Sequence, residues 1–437
     1  MHDGGDPIAD PASAETPAAP RTRRITVLVG LDAGVRAAVA FVVGLVVARS
    51  LGPEALGTLA LAIAVVTLLL PLGGLGTDNV LIQRLAASGP HSDDARRLLR
   101  AASAVRSAGA AITVAAALAF ALLRTPTEAL AVLAVSPALL AAPFESGWGW
   151  MLAHGRIGGL VAWRVAIAAT AAGARLVIVT TTASVPALAL VTGVEILALA
   201  AVASAVAWRH GARLSRQRSS PRAVLRESLP ILLSGVFFLV MLRVDVFLVD
   251  AFLGPTDTGR YAAVIRFAEA TYLVASVAVA AAAPRIVAAH RPDSAGYRHA
   301  YRSLVRWLVL LALAASVGLS LLAGPIVDVL LGAEFAPAAP VLAVYAWTAV
   351  PVYLGTVRDR LAIDHAITRT SVVNTSIGAG LNIGLNAVLL PTIGLVGAGI
   401  ASLVSYAAIV AVVPLFDRRQ RGVNRVLLGA LVPGRAR

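Results

Sequence analysis

The chain has 437 residues, 58% of them hydrophobic, and a mean hydropathy of +0.83, which excludes an ordinary soluble domain. Its formal net charge of +14 comes with arginine as the only basic type besides histidine, and the loop-by-loop placement of those arginines argues against nucleic acid as the partner. The absence of cysteine excludes disulfides, thiolate catalysis and thiolate metal sites.

Residues 1–20 are rich in Pro, Ala and acidic residues and hold no apolar run. We read 1–24 as a disordered cytoplasmic tail, not a signal peptide. Twelve apolar stretches of roughly 19–28 residues follow, each long enough to cross a ~30 Å hydrocarbon core. These spans are predicted near 25–49, 55–80, 101–123, 128–151, 157–182, 185–208, 227–252, 260–284, 304–331, 337–357, 370–391 and 395–416. They predict an all-α, multi-pass membrane protein of about 12 transmembrane helices.

Of the 37 arginines, 28 lie in the tails and the even-to-odd loops, and only Arg49, Arg124 and Arg260 lie in the odd-to-even loops. Positive residues resist translocation, so the arginine-rich face is read as the cytoplasm, with both termini on that side of a bacterial inner membrane. Anionic phospholipids are the natural contacts of such a face. Trp148, Trp150, Trp163, Trp208 and Trp307 fall at the arginine-rich ends of spans, as in an interfacial belt.

The basic connection 209–226 divides the chain into an N-terminal lobe over 25–208 and a C-terminal lobe over 227–416, leaving a basic cytoplasmic tail over 417–437. Leu51-Gly52-Pro53 with Gly57 and Ala60 recurs as Leu253-Gly254-Pro255 with Gly259 and Ala262, at an offset of 202 residues. A repeat after six spans keeps its orientation, so the lobes are expected to be pseudo-symmetric about an axis along the membrane normal, around a central cavity. That is the architecture of an alternating-access transporter. No Walker P-loop occurs, so ATP hydrolysis by this chain is not expected.

Four stretches resemble the O-antigen and polysaccharide export flippases of the multidrug/oligosaccharidyl-lipid/polysaccharide exporter superfamily. They are Ala48 to Gly57; Gly73-Gly74-Leu75-Gly76-Thr77 leading to Leu81-Ile82-Gln83-Arg84; Arg243-Val244-Asp245 through Leu253-Gly254-Pro255 and Gly259-Arg260-Tyr261 to Arg266 and Pro284-Arg285-Ile286; and Asn382, Asn386, Leu390-Pro391, Gly394 and Gly397 to Ala401. The resemblance implies two six-helix lobes that move a polyprenyl-pyrophosphate-linked oligosaccharide from the inner to the outer leaflet. The polysaccharide polymerase and glycosyltransferases of the same pathway are its implied partners. Lipid II flippase relatives typically have two further helices; here 423–432 is apolar but too short to cross.

A charge at mid-bilayer costs roughly 2.5–3.5 kcal/mol on the insertion scale, so arginines inside spans need a reason. Arg36, Arg243 and Arg266 are the leading candidates for a cationic cavity, with Arg164 beside them, because a diphosphate calls for several guanidinium donors. The alternative is structural: Asp32–Arg36 at i, i+4 and Arg266–Glu269 at i, i+3 form intra-helix pairs, and Arg243 shares a face with Asp250 whereas Asp245 points elsewhere. Arg106 is expected to snorkel to the cytoplasmic face. Asp32, Asp245, Asp250 and Glu269 are the candidate coupling or pairing carboxylates. Asn374, Asn382 and Asn386 form a stripe in span 11 that serves either sugar contact or helix packing. His154, His210, His290, His299 and His365 lie in cytoplasmic loops without metal-ligand spacing. Neither metal nor cofactor is expected.

The expected function is a lipid-linked oligosaccharide flippase. Its rivals are a cation-coupled multidrug or small-solute exporter of the same superfamily, a lipid II flippase and, from another class, a membrane glycosyltransferase, polymerase or ligase. The outer loops are too short to house an active site, so an enzyme is not expected.

Overall fold

A computed structural model describes residues 19–412, apart from 157, 216, 218–219, 290–293 and 365–368, together with 423, 427 and 429; side chains are described from Gly34 onward except at 230, 231, 233, 234, 238, 284, 288, 289, 363 and 369–372. Among these residues every regular element is helical. Ten stretches are long and apolar enough to cross a membrane. One of them, Gly34–Gly74, holds spans 1 and 2 joined across a kink at Gly52, and the helix over Pro221–Leu253 supplies span 7 beside them. The twelve predicted spans are thereby all accounted for.

The two Leu-Gly-Pro motifs make the same turn. Gly52 has φ 74° and ψ 173°, Gly254 has φ 84° and ψ 179°, and each is followed by a proline that starts the next helix. A side chain at either position would be strained, and proline is tolerated where the first helical N–H has no partner. The duplicated sequence therefore encodes a duplicated backbone. Helix starts elsewhere carry their own signals: Ser92, Ser184 and Ser294 accept from the backbone N–H three residues on, and Thr125 with Glu128 forms a capping box.

Prolines shape the spans. Span 4 changes to a 3-10 turn over Ser136–Ala141 between Pro137 and Pro143. Span 9 is corrected from 304–331 to a helix over Ala295–Leu321, which ends just before Gly324-Pro325, where the proline ring and lost N–H break the ladder. The interfacial belt holds for Trp163, Trp208 and Trp307, which are exposed, but Trp150 is fully buried against Leu81, Leu99 and Ala207.

Packing is uneven along the membrane normal. Near the arginine-poor face one apolar cluster joins both halves, drawing Ala48 and Leu56 together with Val249, Tyr261, Val264 and Phe335. Near the arginine-rich face the clusters are separate. The first half has its own around Leu81, Leu99 and Trp150, and the second has another around Tyr297, Tyr301 and Val357. Two halves fused at one end and parted at the other leave space between them in the middle.

Candidate functional site

That space is a cavity of about 840 Å³, walled by spans 1, 2, 5 and 6 of the first half and span 8 of the second. Arg36, Arg175 and Arg266 line it together with Glu195, Glu269 and Thr192. Arg36 is 13 residues inside Arg49 and Arg266 is 11 residues past Pro255, which puts both roughly 17–20 Å from the arginine-poor face, near mid-bilayer.

Two of the charges are matched. Arg175 donates to Glu195 at 2.5 Å and to Thr192 at 3.2 Å, linking spans 5 and 6. Arg243 reaches from span 7 to Glu269 on span 8 at 3.4 Å. Arg266 has neither an ion pair nor a hydrogen bond among the described residues. Its guanidinium lies against Gly44 of span 1, where an added methyl would come within 2.7 Å of Nη1. Beside it Phe41 and Phe267 meet edge to face at 5.3 Å, so span 1 and span 8 hold the arginine in place from both halves. Arg266 is thus the cavity arginine whose guanidinium is left to a ligand among the described residues.

A second chamber of about 490 Å³ lies nearer the arginine-rich face, walled by spans 2, 4, 5 and 6. It holds Asp78, Glu145, Trp148, Trp163 and Arg164. Arg106 of span 3 is fully buried beside this chamber. It donates to Asp78 at 2.5 Å, to Thr77 at 2.8 Å and to the Ala142 carbonyl at 3.3 Å, with Glu145 at 3.6 Å. The expectation that Arg106 snorkels to the surface is thus corrected: opposite charges from spans 2 and 4 satisfy it inside the bundle.

The family profile described as polysaccharide biosynthesis protein matches residues 46–340, from the end of span 1 into span 10. The chain belongs to that family. No curated protein sequence matches it significantly. Solved structures share its fold. The lipid II flippase MurJ in an inward closed conformation has a TM-score of 0.74 at 14% identity, covering 93% of this chain and 91% of that one. An inward-facing multidrug resistance MATE transporter of the MOP superfamily has a TM-score of 0.66 at 15% identity, covering 95% and 99%. A MOP superfamily transporter from Pyrococcus furiosus, described as having a binding pocket of reverse polarity, has a TM-score of 0.55 at 15% identity, covering 92% and 96%. The chain is a multi-pass membrane protein with this superfamily's fold.

Of the residues singled out from sequence, Arg36, Arg266 and Glu269 line the central cavity and Arg243 reaches it through Glu269. Two pairings and one position are corrected. Glu269 bonds not Arg266 three residues away but Arg243, because the antiparallel neighbour brings that guanidinium alongside. Asp250 does not pair with Arg243, which lies two turns deeper; it accepts from Arg124 of the span 3–4 connection at its own level. Arg164 lies outside the central cavity, in the second chamber, with its guanidinium 4.7 Å from the Trp148 ring centroid.

Asp245 is buried and accepts from the Tyr261 hydroxyl, which ties span 7 to span 8. The Asp32 side chain lies outside the described residues, as do His290, His365 and the basic tail apart from 423, 427 and 429. Asn374, Asn382 and Asn386 are buried, and none lines either chamber. Asn386 donates to the Asn382 carbonyl and side chain, and Asn382 to Ser402 of span 12 at 3.5 Å, an arrangement of helix packing rather than ligand contact. The sequence reading passed over Arg175 and Glu195 as cavity residues, although Arg175 follows Arg164 by 11 residues, three helical turns on the same face.

Proposed function

We propose that this protein is a flippase that carries a polyprenyl-pyrophosphate-linked oligosaccharide across the bacterial inner membrane by alternating access, as a transporter and not an enzyme. The observation that carries this reading is Arg266, a guanidinium with neither an ion pair nor a hydrogen bond among the described residues, lying against Gly44 of the other half at mid-depth in a cavity that Arg36 and Arg175 also line. A diphosphate offers several acceptor oxygens and fits such a site. The lobes 25–208 and 227–416 rock about it, the lipid tail stays in the bilayer, and both termini face the cytoplasm. An inside-negative potential favours the outward step by about 2.3 kcal/mol per charge per 100 mV.

The carboxylates bear on the multidrug alternative. In and beside the central cavity Glu195, Glu269 and Asp245 are bonded to Arg175, Arg243 and Tyr261, so a cationic drug there would have to displace these partners. The likeness to a lipid II flippase keeps that cargo as the second reading.

Lipid mass spectrometry of the host with and without the gene tests both. A complete polyprenyl-pyrophosphate oligosaccharide should accumulate on deletion, lipid II accumulation would replace the cargo, and an unchanged lipid pool would end the flippase reading. Arg266→Gln with normal expression should reproduce the deletion. Gly44→Val, which displaces the guanidinium without removing its charge, should cut transport at least about tenfold, the equivalent of roughly 1.4 kcal/mol.

A further inference from the structure

The second chamber differs from the first in chemistry. The central cavity is lined by three arginines and two glutamates, whereas here the carboxylates of Asp78 and Glu145 both stand beside the Arg106 guanidinium and Arg164 lines the same chamber. Arg106 occupies Asp78 Oδ1 and lies nearest Glu145 Oε2; Asp78 Oδ2 and Glu145 Oε1 accept no hydrogen bond among the described residues. The rest of the wall is apolar, with the Trp148 indole fixed by the Arg164 guanidinium over its ring. Its volume falls within the roughly 300–1,000 Å³ of small-molecule sites.

Acceptor carboxylates beside an ordered indole suit a pyranose. Hydroxyl groups donate to the former, and the ring's C–H face packs on the latter. Alignment along span 5 supplies the second argument. Arg175 in the central cavity and Arg164 in the second chamber share one face of span 5, roughly 16 Å apart along its axis. The arginine-poor end is closed by the cluster that joins the halves, so a glycan attached to a mid-depth diphosphate extends toward the arginine-rich end, where this chamber lies.

We propose that the second chamber is a glycan subsite, which stacks a pyranose of the lipid-linked saccharide on Trp148 and bonds its hydroxyls to Asp78 and Glu145 while the diphosphate sits at Arg36 and Arg266. This rests on the flippase reading and gives it a sugar-recognising part. The chamber selects for a saccharide on the lipid; the central cavity recognises the diphosphate that all such lipids share.

The test measures binding of two probes to the purified full-length protein in nanodiscs: a polyprenyl pyrophosphate, and the same lipid bearing N-acetylglucosamine. The wild type should bind the glycosylated probe at least about tenfold more tightly, the worth of one or two hydrogen bonds to charged groups. Glu145→Gln and Trp148→Leu should remove that difference and leave the bare lipid's affinity unchanged, Trp148→Phe should retain most of it, and Arg266→Gln should weaken both probes alike. Equal binding of the two probes by the wild type would overturn the subsite and mark the chamber as a lipid-filled gap. A loss in Glu145→Gln and Trp148→Leu that is the same for both probes would also overturn it, as a structural effect. Failure of the wild type to bind either probe would instead sink the flippase reading itself.

Discussion

The two ends of the interface between the halves are built differently. At the arginine-poor end the helices following the two Leu-Gly-Pro turns cross with no side chain between them. A β-carbon at Gly57 would strike the Pro255 carbonyl, and one at Gly259 would strike the Pro53 carbonyl. Around this crossing Arg124 of the first half bonds Asp250 of the second, Arg49 donates to the Val329 carbonyl at 2.6 Å, and an apolar cluster spans both halves. At the arginine-rich end the apolar clusters stay within their own halves, and the ion pair between Arg84 and Glu227 is solvated, with side chains 48% and 43% exposed. One end is a dry, close-packed seam; the other is a wet contact that separates at little cost. Under the proposed alternating access, this state opens more readily on the arginine-rich side.

Three substitutions test that contrast, in falling order of effect. Gly57→Val forces the backbone crossing apart and should destabilise the closed seam by at least about 3 kcal/mol. The natural absence of cysteine allows a single reporter, Ala37→Cys, in the cavity wall; its labelling from the arginine-poor side should rise sharply in the Gly57→Val background, and unchanged labelling would refute the seam. Asp250→Asn leaves Arg124 with Glu128 alone and should cost about 2 kcal/mol in thermal unfolding, with much of the loss recovered when Arg124→Gln is added. Simple additivity in that double-mutant cycle would mean the pair contributes nothing across the halves. Arg84→Gln should shift stability by less than about 1 kcal/mol, as for other exposed pairs, and a loss as large as that of Asp250→Asn would erase the distinction between the ends.

Much of this architecture is legible in the sequence, because span length, arginine asymmetry and a repeated turn are properties of contiguous residues. The offset of 202 between Gly52 and Gly254 foretold equal turns, and the depth of Arg36 and Arg266 followed from counting residues along helices. The partners did not. Spacing along one helix nominates neighbours at i+3, i+4 or i+7, and so it offered Arg266 to Glu269 and Arg243 to Asp250. In the bundle those carboxylates found arginines on other helices at matching depth. Arg106 was misplaced for the same reason, since the acids that hold it come from 28 positions before it and 39 positions after. The second chamber needs four spans brought side by side, which no single stretch reveals.

The crossing at Gly57 and Gly259 is reciprocal: each glycine meets the carbonyl of the proline that opens the other's helix. Reciprocity of this kind is the geometry of an isologous interface, in which one surface meets its own copy about a twofold axis. A six-span protein carrying a single Leu-Gly-Pro-x-x-x-Gly motif would pair with a second copy through this same contact. The present chain thus has the form of a homodimer whose subunits were fused end to end. The twofold symmetry is kept at the seam, while both chambers lie against the first half, so the symmetry of the crossing does not extend to them.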